Sequence, residues 1–304
     1  MANLKLRRQQ NVSGQFFVDS TCIDCGTCYW MAPEIFQDHS DQSAVYQQPK
    51  NVAERMQAFR ALLSCPTGSI GVESKTPDSQ QELIVARGQF PWALAPGVYH
   101  CGYHAESSFG ATSYFIQTSV GNILVDSPRF MGDLVKKFED MGGIQYHFLT
   151  HKDDIADTDK YQLHFGSQRI IHVDDLTTRG HRRDYEILVR GQDDLKLLGG
   201  QVKVIPVPGH TKGHMVLLYR DEFLFSGDHL SWSPQRQHLY AFRSACWYDW
   251  KEQIKSMEKL LNYSFSWVLP GHGYPWRAKD PLRGMAEAQE QLEKCIQWMQ
   301  KSRP

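Results

Sequence analysis

Apolar positions along this chain follow two rhythms. Between residues 51 and 63 they fall at Val52, Met56, Phe59, Ala61, Leu62 and Leu63, close to the helical period, and residues 131–141, 249–261 and 281–301 repeat that spacing. Residues 97–99, 113–118, 122–126, 146–150, 169–172, 202–207, 215–219 and 223–225 are instead short, dense apolar runs of strand length. Near the start, residues 15–19 and 43–46 suit strands and residues 29–36 a short helix. No repeat at solenoid periods interrupts this alternation, which predicts an α+β protein with sheets packed between helices. Residues 74–82 are polar with one proline, so a linker at 75–82 is expected between a domain at 12–74 and a larger one at 83–304.

Composition narrows the class. A chain of 304 residues with 41% apolar residues can bury two cores, and a formal net charge of -1 gives no footprint for nucleic acid or a membrane surface. The basic residues between 179 and 183 are flanked by Asp174, Asp175, Asp184 and Glu186, a pattern expected of a solvated mixed surface. No apolar run approaches a membrane span, and the polar stretch 1–13 lacks the apolar core of a secretory signal. A cytoplasmic or otherwise reducing compartment is therefore expected, with Cys101, Cys246 and Cys295 as packing thiols.

The other four of the seven cysteines carry chemistry. Cys22, Cys25 and Cys28 recur every third residue, and Cys65 stands before Pro66. Thiolates at that spacing can grip three corners of a cubic [4Fe-4S] cluster while a distant fourth closes the cage. A structural zinc site or free core cysteines are the alternatives, although zinc usually takes two ligand pairs. Where two-cluster ferredoxins continue into a further Cys-Pro, this chain has Ala32-Pro33, so one cluster is expected. The segment from about 12 to 74 resembles bacterial-type single-cluster ferredoxins.

Four further motifs lie on loops after strand-like runs: Thr150-His-Lys-Asp-Asp-Ile-Ala-Asp157, Pro208-Gly-His-Thr-Lys-Gly-His214, Phe225-Ser-Gly-Asp228 and Pro270-Gly-His-Gly273. Imidazole and carboxylate gathered from four strand ends is what a one- or two-metal site requires. In this order, with the strand ending at Asp126, they resemble the metallo-β-lactamase superfamily. The resemblance implies an N-terminal ferredoxin-like domain followed by an αββα sandwich. It also implies metal ligands at His151, Asp153, His210, Asp228 and His272, with Asp228 bridging. In the superfamily the first motif reads His-x-His-x-Asp-His. Here Asp153 replaces the second histidine, Ile155 and Ala156 occupy the Asp-His places, and Asp157 aligns only with two extra residues, with Thr158 in place of the last histidine. One firmly held metal is therefore expected, with a second site thinly provided. His214 and His229 are read as supporting imidazoles.

A carboxylate at the second position favours iron or manganese over zinc. Flavodiiron proteins, a branch of the superfamily that reduces dioxygen or nitric oxide, resemble this chain there, with glutamate in place of Asp153. The expected assembly is one [4Fe-4S] cluster and one or two further metal ions, iron, manganese or zinc. Electrons would come from a redox partner protein or an external reductant, and the substrate would be a small molecule. The alternatives are a metal-dependent hydrolase in which Asp157 or Asp153 orients water, and a non-catalytic electron-transfer scaffold.

Overall fold

The computed structural model describes residues 2–74, 76–176, 185–280 and 282–301. The basic run at 179–183 and Asp184 lie outside the described residues. The chain forms two compact units, Met1–Gln117 with Ser127–Gly143, and Thr118–Asp126 with Ile144–Pro304.

In the first unit, strand Phe16–Val18 pairs antiparallel with Ile70–Val72, and Phe36–Asp38 pairs antiparallel with Ser43–Val45. The helix expected at 29–36 is shorter and earlier, Thr27–Met31. It ends at Ala32, which cannot stay helical before Pro33 and takes φ -142° and ψ 66°. Helix Val52–Ser64 is capped by Asn51, whose side chain accepts from Glu54 N, and it hands the chain directly to Cys65. Phe59 packs edge-on against Phe16 at 5.1 Å. The stretch read as a linker is largely helical: Thr76 accepts from Ser79 N and Pro77 takes the first position of helix Pro77–Gly88. A threonine cap followed by proline starts a helix even in a polar stretch. Strands Trp92–Ala95, Val98–His100 and Tyr114–Ile116 run antiparallel in that order, and helix Gly132–Asp140 completes the unit.

The second unit contains strands Ile123–Val125, Tyr146–Phe148, Gln168–His172 and Ile187–Val189, parallel in that order. A six-stranded sheet is built from Leu195–Leu197, Val202–Pro206, Met215–Tyr219, Phe223–Gly227, Trp267–Pro270 and Trp276–Arg277. Every residue of Met215–Tyr219 is buried, as expected of a strand covered on both faces. Val216, Leu218 and Leu224 meet Met257 and Leu260 of helix Trp250–Leu260, and Leu292 and Ile296 of helix Gly284–Lys301, in one apolar core. The sheet is antiparallel except where Phe223–Gly227 pairs with Trp267–Pro270. That parallel pairing sets Gly227 opposite Pro270. The residues that follow, Asp228 and His272, therefore leave the sheet at the same end.

Leu218 is fully buried. Leu218→Ala should cost about 2–5 kcal/mol of stability through lost transfer energy and a cavity, read as a lowered urea midpoint with unchanged slope; an unchanged midpoint would contradict this core.

Candidate iron-sulfur and metal centres

Cys22, Cys25, Cys28 and Cys65 line one pocket, together with Ile23, Thr27, Ser43, Thr67 and Ser69. The sulfurs are ringed by polar atoms: Asp24 N donates to Cys22 Sγ at 3.5 Å, Ser69 N donates to Cys65 Sγ at 3.3 Å, and Ser43 Oγ lies 3.0 Å from Cys28 Sγ. Burial pushes the Cys25 thiol up to about 11 and raises Cys22 and Cys28 as well. Loading must therefore strip protons from thiols that favour keeping them, which needs the positive charge of the irons. Among the described residues, no cysteine belongs to a group of three or more donors lying within 4.8 Å of one another. Four sulfurs around one zinc at ~2.3 Å would stand only about 3.8 Å apart. The four thiols line one pocket without closing to the spacing of a single zinc, which fits a larger inorganic cluster better.

Two elements outside the cysteine motif brace the pocket. Arg129 Nη2 donates to the carbonyls of Leu63 at 3.2 Å and Cys65 at 3.3 Å, fixing the turn that carries the fourth thiol. Gly110 lies so close that a Cβ there would stand 2.8 Å from Cys25 Cβ and 3.0 Å from its sulfur, and its φ is +83°. Only glycine satisfies both demands.

The second centre is assembled at strand ends. His151 follows strand Tyr146–Phe148, His210 follows Val202–Pro206, and Asp228 and His272 follow the parallel pair. His151 Nε2 stands 3.8 Å from Asp153 Oδ2 and 3.9 Å from Asp228 Oδ2, while His210 Nε2 stands 3.9 Å and 3.7 Å from the same two oxygens. A tetrahedron around a metal at ~2.1 Å has edges of about 3.4 Å; the four nitrogen–oxygen pairs stand near that spacing, and His151, Asp153 and His210 form one group of donors lying within 4.8 Å of one another. His151 Nε2 and both nitrogens of His210 are buried without a hydrogen-bond partner, an arrangement a metal would satisfy.

Asp228 faces both ways. Its Oδ2 lies 3.7 Å from His210 Nε2 and its Oδ1 lies 2.6 Å from His272 Nδ1. Burial opposes its ionisation, but the charge of and hydrogen bond from His272 outweigh that and hold its carboxyl below the usual range. Asp154 forms a second donor group with His151 and Asp228. Burial and the Asp228 charge raise its carboxyl well above the ordinary value, and its Oδ2 has no hydrogen-bond partner. Asp157 is in neither group; it stands at the start of helix Thr158–Phe165, 2.8 Å from Lys160 Nζ. A Cβ at Gly271 would stand 2.9 Å from Asp228 Oδ1 and 3.1 Å from Asp154 Oδ2. The glycine of the Pro-Gly-His motif therefore makes room for both carboxylates. His214 Nε2 accepts from Asp228 N at 3.2 Å and its ring stacks on His151 at 5.0 Å, so it supports the ligands from behind. His229 is fully buried beside His214, with neither ring nitrogen partnered.

The residues that aim these ligands are mostly ones the motifs do not announce. Asp126 accepts from Thr150 N at 2.8 Å and Thr150 Oγ1 at 3.0 Å, and Thr150 Oγ1 meets His151 Nδ1 at 2.9 Å, leaving Nε2 for a metal. Asp175 was expected on a solvated surface but is buried. It accepts from Thr211 Oγ1 at 2.6 Å, Gly213 N at 2.8 Å and Lys152 N at 3.1 Å, tying the His151 loop to the His210 loop. Thr158, in place of the motif's last histidine, lies 3.0 Å from His147 Nδ1. Trp247 is 66% exposed beside His210, and the Trp247 and Tyr248 amides donate to the His210 carbonyl.

Known proteins agree with this two-part construction. The model of the 4Fe-4S single cluster domain of Ferredoxin I matches residues 18–72. Beta-lactamase-like protein 2 homolog of Drosophila melanogaster is 36% identical over 75 residues, which are 25% of this chain and 23% of that protein. The match thus spans under a quarter of that relative. The crystal structure of DIM-1 metallo-β-lactamase exposed to ceftazidime superposes with a TM-score of 0.51 at 16% identity, covering 66% of this chain and 95% of that one. The metallo-β-lactamase from Pontibacter korlensis gives 0.51 at 16% identity, covering 69% and 98%. At such identities the likeness is one of fold. The first part is an iron-sulfur module of the single-cluster ferredoxin kind. Over about two thirds of its length the chain has the metallo-β-lactamase fold.

Two outcomes follow from these contacts. Asp175→Ala should leave the fold intact and weaken metal binding about 10–100-fold, measured by competition with a chromophoric chelator; undiminished affinity would show that the clamp is dispensable. His147 donates from Nε2 to the Asp126 carbonyl at 3.1 Å, and burial lowers it to about 3. Its folded-state value lies below the unfolded one, so its contribution is present above about pH 6.5 and is lost as pH falls toward 3. Wild type should therefore lose stability relative to His147→Gln across that window, by up to about 1.4 kcal/mol per pH unit. Parallel urea-midpoint profiles for the two proteins would refute this.

Proposed function

We propose that this protein is a redox-linked metalloenzyme. In it, a [4Fe-4S] cluster held by Cys22, Cys25, Cys28 and Cys65 exchanges electrons with a reaction at the metal centre of His151, Asp153, His210 and Asp228. The observation that carries this reading is the chemistry of the donors: two imidazole nitrogens, each 3.7 to 3.9 Å from an oxygen of each of two carboxylates. Half oxygen in character, it suits iron or manganese better than a histidine-rich site does. Fusion to an electron carrier points the same way, since hydrolysis has no use for electrons.

A metal bound there would supply Lewis acidity and, if iron or manganese, a one-electron couple. The chain's own residues do the rest. Asp228 stays ionised against His272 and offers its two oxygens to the two sides of the centre. Thr150, anchored by Asp126, keeps His151 turned so that Nε2 faces inward. Asp154, its carboxyl raised by burial and by the Asp228 charge, stands at the edge of the donor group. The exposed indole of Trp247 gives a small-molecule substrate an apolar ledge beside His210. Electrons enter the cluster from a redox partner protein or an external reductant.

The test is elemental analysis of anaerobically purified protein beside a His210→Ala, Asp228→Ala double variant. Wild type should carry iron or manganese beyond the four cluster irons, and the variant should lose only that excess. Reoxidation of the reduced cluster by dioxygen should slow in the variant. Zinc as the excess metal, with reoxidation unchanged, would turn the reading to a metal-dependent hydrolase with a regulatory cluster. No excess metal would leave an electron-transfer scaffold.

A further inference from the structure

Beside the cysteine pocket, within the first unit, lies a chain of hydrogen bonds reaching beyond the ferredoxin motif. Thr27 Oγ1 stands 3.4 Å from Cys25 Sγ, 3.1 Å from His104 Nδ1 and 3.4 Å from the Gly110 carbonyl. His104 Nδ1 lies 2.8 Å from the same carbonyl, and its Nε2 lies 2.9 Å from His100 Nε2. Both histidines are fully buried. The rings of Trp30, Phe90, Trp92 and Tyr114 surround His100 at 5.3 to 6.4 Å.

One atom fixes the direction of the whole chain. A carbonyl oxygen can only accept, so His104 Nδ1 must carry the proton it shares with Gly110. That proton also faces Thr27 Oγ1, making the hydroxyl an acceptor on that side and freeing its own proton. A charged imidazolium sealed among aromatic rings would be costly, so both histidines are neutral. His104 Nε2 is then a lone pair, accepting from His100 Nε2–H, and the remaining lone pair at His100 Nδ1 is the atom left without a partner. Burial and the neighbouring His104 indeed hold His100 well below its ordinary value. The free hydroxyl proton of Thr27 has two possible acceptors at equal distance, a carbonyl already served by His104 and the sulfur of Cys25. When that sulfur is a cluster thiolate, it is the stronger acceptor.

We propose that His104, backed by His100, is a positioning residue for the cluster, because it turns the Thr27 hydroxyl toward Cys25 and thereby raises the reduction potential. Hydrogen bonds to cluster sulfur stabilise the reduced, more negative state. His100, His104 and Gly110 all lie beyond the 18–72 segment that matches the ferredoxin model. The potential is thus set partly by chain that a free ferredoxin would lack. This inference rests on the assignment of Cys25 as a cluster ligand.

The experiment is an anaerobic redox titration of the full-length protein, followed by visible absorbance and electron paramagnetic resonance, with iron and sulfide counted in every sample. Thr27→Val should keep the cluster and lower its potential. His104→Ala should lower it in the same direction, and should add nothing in the Thr27→Val background. His104→Asn, which keeps an N–H near the place of Nδ1–H, should restore the wild-type value, while His104→Gln should not. The proposal is overturned if His104→Ala titrates like wild type, or if its shift adds in full to that of Thr27→Val. Should His104→Ala fail to hold four irons, the Asn and Gln variants decide, and equal potentials for these two overturn it. Wild type without four irons and four sulfides would instead fault the cluster assignment itself.

Discussion

Removing imidazole, carboxylate and thiol groups from water without partners is expensive, and each centre of this protein is arranged around that expense. In the second unit, His151, His210 and Asp228 leave their strands into a region where water is largely excluded. A backing layer of Asp126, Thr150, Asp175 and His214 satisfies their outer atoms and leaves the inner ones facing one another. Divided in this way, the polar demand is left unmet at His151 Nε2 and at the His210 nitrogens. In the first unit the same constraint acts on four thiols, with backbone amides and hydroxyls of Asp24, Thr27, Ser43 and Ser69 taking the place of the carboxylates.

The parallel pairing inside an otherwise antiparallel sheet is what makes the second centre possible. Because Phe223–Gly227 and Trp267–Pro270 point the same way, Asp228 and His272 emerge together and meet at 2.6 Å. An antiparallel partner would have sent one of them to the far end of the sheet. The glycines do the complementary work of withholding a side chain where two carboxylates must pass.

Most of the architecture was legible in the sequence, for identifiable reasons. Thiols at fixed spacing and motifs at strand ends are local signals, and the dense apolar runs at 202–207 and 215–219 appear as the buried strands Val202–Pro206 and Met215–Tyr219. What could not be read is what depends on side-chain direction across long separations. Asp175 lies between charged neighbours, yet its carboxylate turns inward to Thr211 and Gly213. Asp157 is the residue that two extra positions align with the motif's aspartate, but it is Asp154 that groups with Asp228, while Asp157 is drawn to Lys160 one helical turn on. Arg129 and His104 bear on the cysteine pocket through backbone carbonyls and a hydroxyl, which no residue pattern records. The polar stretch before residue 83 misleads for a simpler reason, since a threonine cap and a proline outweigh its composition.

The buried Asp175 carboxylate has a kinetic consequence. By joining the amide of Lys152 to the hydroxyl of Thr211 and the amide of Gly213, it makes the loops that carry His151 and His210 a single body. The ordering of those imidazoles is then completed when the chain folds, not when an ion arrives. For an ion bound as proposed, capture need not wait for a loop to close. Discrimination among such ions would then fall to how long each one stays.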